Sequence, residues 1–591
     1  MRKIPVRAAA TLGLLGAVAL SASTTSDARA EWIPPYMPDV DLAGPTFADD
    51  VAETIPGRIA VDVKDDLSEE EIAALGAEYG ITLRDNSPHI KDDAKIELAD
   101  VSPSEERSIL ERLSRDRRVE HAERITLVHA SFVPNDPRYA EQWHMKKVGA
   151  ETAWEYACGT GVTVAVIDTG VACYDKGGFM KGTDLAGTSC VGGWNFTGDN
   201  DLAADDHGHG THVAGTIAQT TNNGLGVAGL AHCAKLMPVK VLTKQGYGTM
   251  ADVAEGIRWA ADHGAQVINL SLGSSQKSKI VEDAVTHAYK KGVTVVCAAG
   301  NSGRSVGYPA AYKGAIAVSA TDKNDNIAWF SSRGPQIAIG APGVGITQQT
   351  VCESGKNKCE TFGVFNGTSM ASPHVAGAAA LVVGMGVTDP DHVLAALQGS
   401  ATRKEDKNLF GAGVLDARKA VSATHWSHIG LRLVALFGLV GLVLARIRKM
   451  NGAVQIGPGA VGGALLGSIG LLPFAPLLGL TARLGSLRPV GEILMRPLGE
   501  WDMVLSANLH RWLPLASAAP VAILTALFFG FKPLRTFTGG LALGTAALLA
   551  QVALSGDVAF ALGPFALRLF AVANILVCAF VARMSLDGKK S

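Results

Sequence analysis

The sequence predicts an α/β protein built on an open, doubly wound parallel sheet, preceded by a small α+β unit of split βαβ type and followed by an all-α, lipid-soluble region. Three observations predict this. Between Gly161 and about residue 420, continuous apolar runs alternate with helical stretches, the pattern of parallel strands buried on both faces and covered by helices. Residues 57–130 carry a shorter β-α-β-β-α-β pattern. Charged residues crowd the first 420 positions and then thin out, which marks a change of solvent near residue 428. At 591 residues the chain is too long for one core, and roughly three or four units are expected.

In chain order, Arg2, Lys3 and Arg7 precede an apolar stretch over 8–20 and the sequence Ala28-Arg29-Ala30, the pattern of a signal peptide over residues 1–30. Residues 31–56, rich in Pro and Asp, read as a linker. The unit at 57–130 opens on an alternating strand over 58–63. Ser68 and Glu71 then form a capping box before a helix that carries Ile72, Leu75 and Tyr79 on one face. Strands are expected at 81–84 and 95–98. Ser102, Pro103 and Glu105 supply N-cap, first-turn proline and capping partner for a second helix through Leu110 and Leu113, and a strand over 124–129 closes the unit.

The third unit, 131–425, has buried strands at 162–167, 236–242, 267–272, 293–298 and 315–319. The first ends on Asp168, a carboxylate at the C-terminal edge of the sheet, where α/β proteins build their sites. Asp206-His207-Gly208-His209-Gly210-Thr211-His212 places imidazoles at a glycine turn that opens a helix. Asn366-Gly367-Thr368-Ser369-Met370 places a serine at another helix N-terminus, where a base and an orienting carboxylate would make the hydroxyl a nucleophile. A zinc site of His207, His209 and His212 with Asp206 is the rival reading, but it leaves the serine motif unexplained.

These motifs resemble the subtilisin family, its thermitase-like members above all, over about 134–421. The resemblance implies a serine endopeptidase with Asp168 as orienter, His209 as general base and acid, and Ser369 as nucleophile. Asn301, at the end of Val295-Val296-Cys297-Ala298-Ala299-Gly300-Asn301, would be the oxyanion donor. Gly246, Tyr247 and Gly248 would face Ser271, Leu272 and Gly273 across an extended peptide, while Ala299 and Gly300 help line an uncharged first pocket suited to apolar side chains. Structural calcium is also implied, at Asp136 and Asp184 with the loop Asn222-Asn223-Gly224, and at a second site by Asp199 and Asp201. Unit 57–130 resembles the family's inhibitory propeptide, an intramolecular partner whose segment 129–133 would thread the cleft until self-cleavage near Ala130.

Of eight cysteines, Cys352 and Cys359 flank a polar loop and are the favoured disulfide; Cys173 with Cys190 is a second pairing. Cys297 in its apolar run and Cys578 in the lipid-soluble region are expected to be free thiols. Residues 426–591 hold apolar stretches near 429–445, 456–480, 513–531, 536–555 and 560–582, about five membrane spans. Arg446, Arg448 and Lys449, then Lys532 and Arg535, then Arg583, Lys589 and Lys590 fall on one side, which is cytoplasmic by the positive-inside rule. The third unit then faces outward from a multi-pass cell-membrane protein, although the loop 483–512 places four arginines outside. Gly459, Gly463 and Gly467 recur every fourth residue and would let a neighbouring helix approach closely. With 53 Lys+Arg against 55 Asp+Glu and no long basic run outside the membrane flanks, nucleic acid is not an expected partner; protein or peptide substrates and membrane lipid are. The alternative is a membrane sensor or transporter module with an accessory or inactive peptidase unit.

Overall fold

The computed structural model describes residues 54–86, 95–126, 132–351 and 360–588. The expected leader at 1–30, most of the linker, the cleavage segment near Ala130, and Cys352 with Cys359 lie outside them.

The first unit is an antiparallel sheet in the order β2-β3-β1-β4, made of β1 Thr54–Val63, β2 Arg84–Asp85, β3 Lys95–Asp100 and β4 Val119–Thr126. Its helices Glu69–Tyr79 and Glu106–Leu113 bury Ile72, Leu75, Ile109 and Leu113 against Ile59, Val61 and Val63. The Ser68–Glu71 capping box forms in both directions. Three bounds differ from expectation. Gly80 takes the left-handed cap and Ile81 N–H donates to Gly76 O, so helix closure consumes the start of the 81–84 strand. Ser102 spends its hydroxyl on Ser104, and the second helix begins only at Glu106. The last strand starts at Val119, earlier than 124.

The large sheet is parallel throughout, in the order β11-β10-β9-β8-β5-β7-β6. All five expected runs are strands in it: β5 Thr163–Asp168, β7 Lys235–Lys240, β8 Val267–Leu270, β9 Thr294–Ala298 and β10 Ala315–Thr321. Their alternate residues feed two separate cores. Val164, Val166, Val267, Val296 and Val318 face one, and Ala165, Ile167, Ile268, Val295 and Ala317 the other, which is why each run is apolar without a break. Two edge strands were not anticipated: β6 Trp194–Asn195 is only two residues long, and β11 Ile337–Pro342 carries Gly340 and Pro342. An antiparallel hairpin, β12 Ile346–Val351 with β13 Glu360–Phe365, leads into the buried helix Thr368–Gly384.

Cys173 pairs with Cys190, as expected, and Cys297 and Cys578 are buried free thiols. A second disulfide, Cys158–Cys233, was not foreseen.

Three C-terminal helices are long and apolar enough to cross a membrane: Ala417–Lys449, Lys532–Ser555 and Pro564–Leu586. The stretches near 456–480 and 513–531 instead hold helices of 11 residues each, Pro458–Ser468 and Ala518–Phe528. The first is ended by Gly470 in a left-handed conformation with Pro473 and Pro476 following, and Leu513-Pro514 delays the second. Pro458–Ser468 nevertheless runs along the bundle. At one end Gln455 N–H donates to Leu586 O (2.9 Å), and beyond the other His425 Nε2 donates to Pro473 O (2.8 Å). Its glycine stripe does what the spacing implies, since a Cβ on Gly463 would lie 2.1 Å from Phe537 O of the neighbouring helix.

In the loop 483–512, Arg488 donates to Trp154 O, Arg496 to Gly384 O and Arg511 to Ala559 O, and Arg488 and Arg496 also face the buried Glu492 carboxylate at 3.5 and 3.7 Å.

Candidate active site

The C-terminal edge of the large sheet gathers the expected residues. Asp168 is the last residue of β5 and is fully buried. His209 is the first residue of the helix His209–Ala218, reached through Gly208 at φ 103°, a left-handed turn that favours glycine. Its Nδ1 lies 2.7 Å from Asp168 Oδ1, which also accepts Thr169 N–H at 2.7 Å. Such a bond places the remaining proton on Nδ1 and leaves Nε2 free to act as a base. Burial pushes the imidazole down, but the Asp168 carboxylate and its hydrogen bond, with Asp205 behind them, hold it above its usual value.

Ser369 opens the helix Thr368–Gly384, where the helix dipole favours developing negative charge. Its Oγ donates to Ser271 O (3.1 Å), and Ser271 Oγ donates back to Ser369 O (2.8 Å). The hydroxyl is therefore seated on β8's end, with its proton given to Ser271 O. Asn301 follows β9. Thr368 donates to its Oδ1 through both N–H and Oγ1 (2.9 Å each), so the amide oxygen is occupied and the NH2 is the end that can donate. That Nδ2 is 3.4 Å from where a Cβ on Gly367 would stand.

The expected peptide-binding segments flank this group. Gly246, Tyr247 and Gly248 follow β7, with Tyr247 75% exposed. Ser271, Leu272 and Gly273 follow β8, and Ala299 and Gly300 follow β9. Neither of the latter triplet and pair contains a charge.

Several contributors lay outside the sequence expectation. Buried Asp205 accepts from Thr169 Oγ1, His207 N, Gly208 N, Thr211 N and Thr211 Oγ1, and so ties the histidine turn to the end of β5. Lys240 Nζ donates to Thr169 O (2.6 Å), Asp206 Oδ1 (2.7 Å) and Leu242 O (2.7 Å). Asn269 accepts from Ser372 Oγ and donates to Ser271 Oγ, locking the serine helix to β8. Only the Asp205-Asp206 doublet ahead of the glycine turn gave a hint in the sequence.

The zinc reading fails on geometry. His212 Nε2 donates toward Ile346 O and its ring stacks on Phe365, while Asp206 is bound to Lys240. Among the described residues, the group that could crowd a metal is Cys158, His232 and Cys233, but those sulfurs are bonded to each other.

Asp136 and Asp184 converge on one loop. Asn222 N–H donates to Asp136 Oδ2 (2.7 Å), and Asn223 Nδ2 and Val227 N–H donate to the two oxygens of Asp184 (2.9 Å each). Burial, with the nearby Asp136 charge adding to it, pushes the Asp184 carboxyl up to about 6, and burial alone raises Asp136 against its backbone hydrogen bonds. The loop turns N–H donors toward both buried carboxylates, while the Asn222 and Asn223 amide oxygens accept from Asn135 N–H and Leu225 N–H; the carboxylates and these amide oxygens are the hard oxygens with which calcium would be held. Asp199 and Asp201 differ: both are exposed, and Asp201 already pairs with Lys176 (3.0 Å), the arrangement of a solvated turn.

Residues 159–413 match the family model described as the subtilase family, Peptidase S8. The chain is 41% identical to Thermitase of Thermoactinomyces vulgaris over 295 residues, covering 49% of this chain and 99% of the relative. It is 43% identical to Subtilisin Savinase of Lederbergia lenta over 281 residues, 47% of this chain and 97% of that one. It is 38% identical to the Thermophilic serine proteinase of Bacillus sp. (strain AK1) over 336 residues, 56% of this chain and 79% of that one.

Proposed function

Since the chain belongs to the subtilase family, and is thereby a serine endopeptidase acting on protein or peptide substrates, we propose that Asp168, His209 and Ser369 are its catalytic triad and that it works as a membrane-anchored, self-processed enzyme facing out of the cytoplasm. The observation that carries the triad is the 2.7 Å pairing of His209 Nδ1 with buried Asp168, on the sheet edge to which Ser369 is also anchored. When a peptide occupies the cleft, Ser369 Oγ turns from Ser271 O to His209 Nε2. It attacks the scissile carbonyl as the imidazole takes its proton. The oxygen that becomes negative receives the Asn301 NH2 and the Ser369 backbone N–H. His209 returns the proton to the leaving amine, and water then hydrolyses the acyl-enzyme by the same steps. Gly246, Tyr247 and Gly248, with Ser271, Leu272 and Gly273, hold the peptide extended; Ala299 and Gly300 complete an uncharged pocket.

Membrane anchoring is supported by lipid-sized side chains exposed along the three long helices, among them Val434 at 74%, Leu554 at 79% and Phe565 at 75%. The cytoplasmic side is the one with Arg446, Arg448, Lys449, Lys532 and Arg583. Unit 57–130 acts as an intramolecular inhibitor until cleavage near Ala130. Calcium fits Asp136 and Asp184, where it neutralises two buried carboxylates, and takes no part in the chemistry.

Labelling the membrane fraction with a serine-reactive fluorophosphonate tests the central claim. The expected adduct is on Ser369, and Ser369→Ala is expected to abolish both labelling and hydrolysis of an unstructured protein while far-UV circular dichroism is unchanged. An adduct elsewhere, or hydrolysis by the alanine variant, overturns it.

A further inference from the structure

The peptidase unit is not hung on a flexible stalk. Helix Ala417–Lys449 belongs to both cores: Ala417, Ala420 and Val421 pack inside the peptidase unit, and Leu436, Val443 and Ile447 inside the C-terminal bundle. The return segments grip the same unit from below. Ala507 N–H donates to Gly161 O (3.0 Å), just before β5, and Asn508 Nδ2 donates to Gly264 O (3.0 Å), just before β8. Gly292, just before β9, lies against Arg511 and Ala559. Met503 is fully buried in the peptidase core.

Each of these contacts is on the N-terminal edge of the parallel sheet. The C-terminal end of the Ser369 helix is held there too, by Arg496 Nη1 donating to Gly384 O (2.5 Å) and by Thr388 and Asp389 N–H donating to Asp557 O (2.8 and 2.9 Å). Asp168, His209, Asn301 and Ser369 occupy the opposite edge. The 17-residue helix Thr368–Gly384 is about 25 Å long at 1.5 Å per residue, with Ser369 near one end and the docked Gly384 at the other. Apolar side chains are exposed close to the docked edge, Phe474, Leu505, Leu509 and Trp512 among them, so the lipid surface begins near the junction.

Resting on the membrane-anchored peptidase reading above, we infer that the cleft is held facing away from the bilayer, and that the substrates are extended segments standing well clear of it, not the stalks next to a membrane span. A tethered substrate must climb the height of the sheet before it can enter. At 3.3–3.6 Å per extended residue that takes about seven or eight residues, besides those that occupy the cleft.

The test uses the full-length enzyme in lipid vesicles with single-span substrates that carry one cleavable segment, set off from the span by Gly/Ser spacers of roughly three or roughly thirty residues. The same segment supplied as a soluble peptide is the reference, and Ser369→Ala sets the background. Cleavage of the long-spacer and soluble substrates with at least about a tenfold loss for the short spacer is expected. Cleavage of the short-spacer substrate within about twofold of the long one overturns the inference. A soluble peptide left uncut defeats the peptidase site instead, and release of the enzyme from vesicles by a carbonate wash defeats the membrane reading.

Discussion

His209 sits where burial and charge oppose each other, and Asp168 wins, so its imidazolium persists to higher pH than a free histidine's. The proposed mechanism needs the neutral base. The acid limb of the kcat/KM profile is therefore expected above the ordinary value of about 6.5, with activity lost as pH falls through it. Asp168→Asn removes the charge and the tautomer control together, and a fall of about ten-thousandfold in kcat is expected near neutrality, the size seen in other triads of this type. Asn301→Ala tests a different atom. The variant removes the NH2 and also the oxygen that accepts from Thr368 N–H and Oγ1, and kcat should drop by about a hundred- to thousandfold with KM little changed, as for the equivalent donor in subtilisin. At the calcium candidate the sign runs the other way. A carboxyl raised to about 6 favours its protonated form in the fold, so ionisation above that pH destabilises the unit unless a cation is bound. Chelation should lower the thermal inactivation temperature markedly at pH 8 and hardly at pH 5, where protonated Asp184 no longer attracts the ion.

At the scale of elements, the two disulfides among the described residues differ in what they close. Cys158–Cys233 spans 75 residues and Cys173–Cys190 spans 17. In the chain-entropy model the longer loop stabilises by about 4 kcal/mol, so Cys158→Ala with Cys233→Ala should cost more in urea unfolding than the corresponding loss of the shorter bridge. This longer pair also shows what sequence pattern could and could not carry. The strands at β5, β7, β8, β9 and β10 were legible because burial on both faces writes an unbroken apolar run, and the Ser68–Glu71 cap because it is a local exchange of hydrogen bonds. The motifs marked Asp168, His209 and Ser369 as candidates, and the structure brings all three to one sheet edge, but no motif announced the seat of Ser369 Oγ on Ser271. Cys158–Cys233 leaves no such trace, since only the tertiary fold brings the end of helix Ala150–Tyr156 beside the start of β7. The same holds for Pro458–Ser468: its glycines announced a close approach, but hydropathy could not report that Gly470 and two prolines cut the helix to 11 residues.

For the whole molecule, the arginines of 483–512 matter as docking groups: Arg488 and Arg496 donate to carbonyls of the peptidase unit. That docking changes what truncation should do. If residues 426–591 were only a tether, their deletion would release an unaltered enzyme. Here deletion uncovers the seat of Met503, removes the partners of Gly161 O, Gly264 O and Gly384 O, and leaves Glu155 without the Thr481 and Ala482 N–H groups it accepts from at 3.0 and 3.1 Å. Losing one large buried side chain alone costs about 2–5 kcal/mol, against a total of about 5–15 for a folded domain. A chain ending at residue 425 should therefore lose thermal stability as well as membrane retention, with a transition at least several degrees lower in a melting curve followed by circular dichroism. Met503→Ala in the intact chain should reproduce part of that shift and leave the protein in the membrane fraction. Equal melting temperatures for the truncated and intact enzymes would make the C-terminal region a mere anchor, and would also remove the rigid mount on which the outward-facing cleft depends.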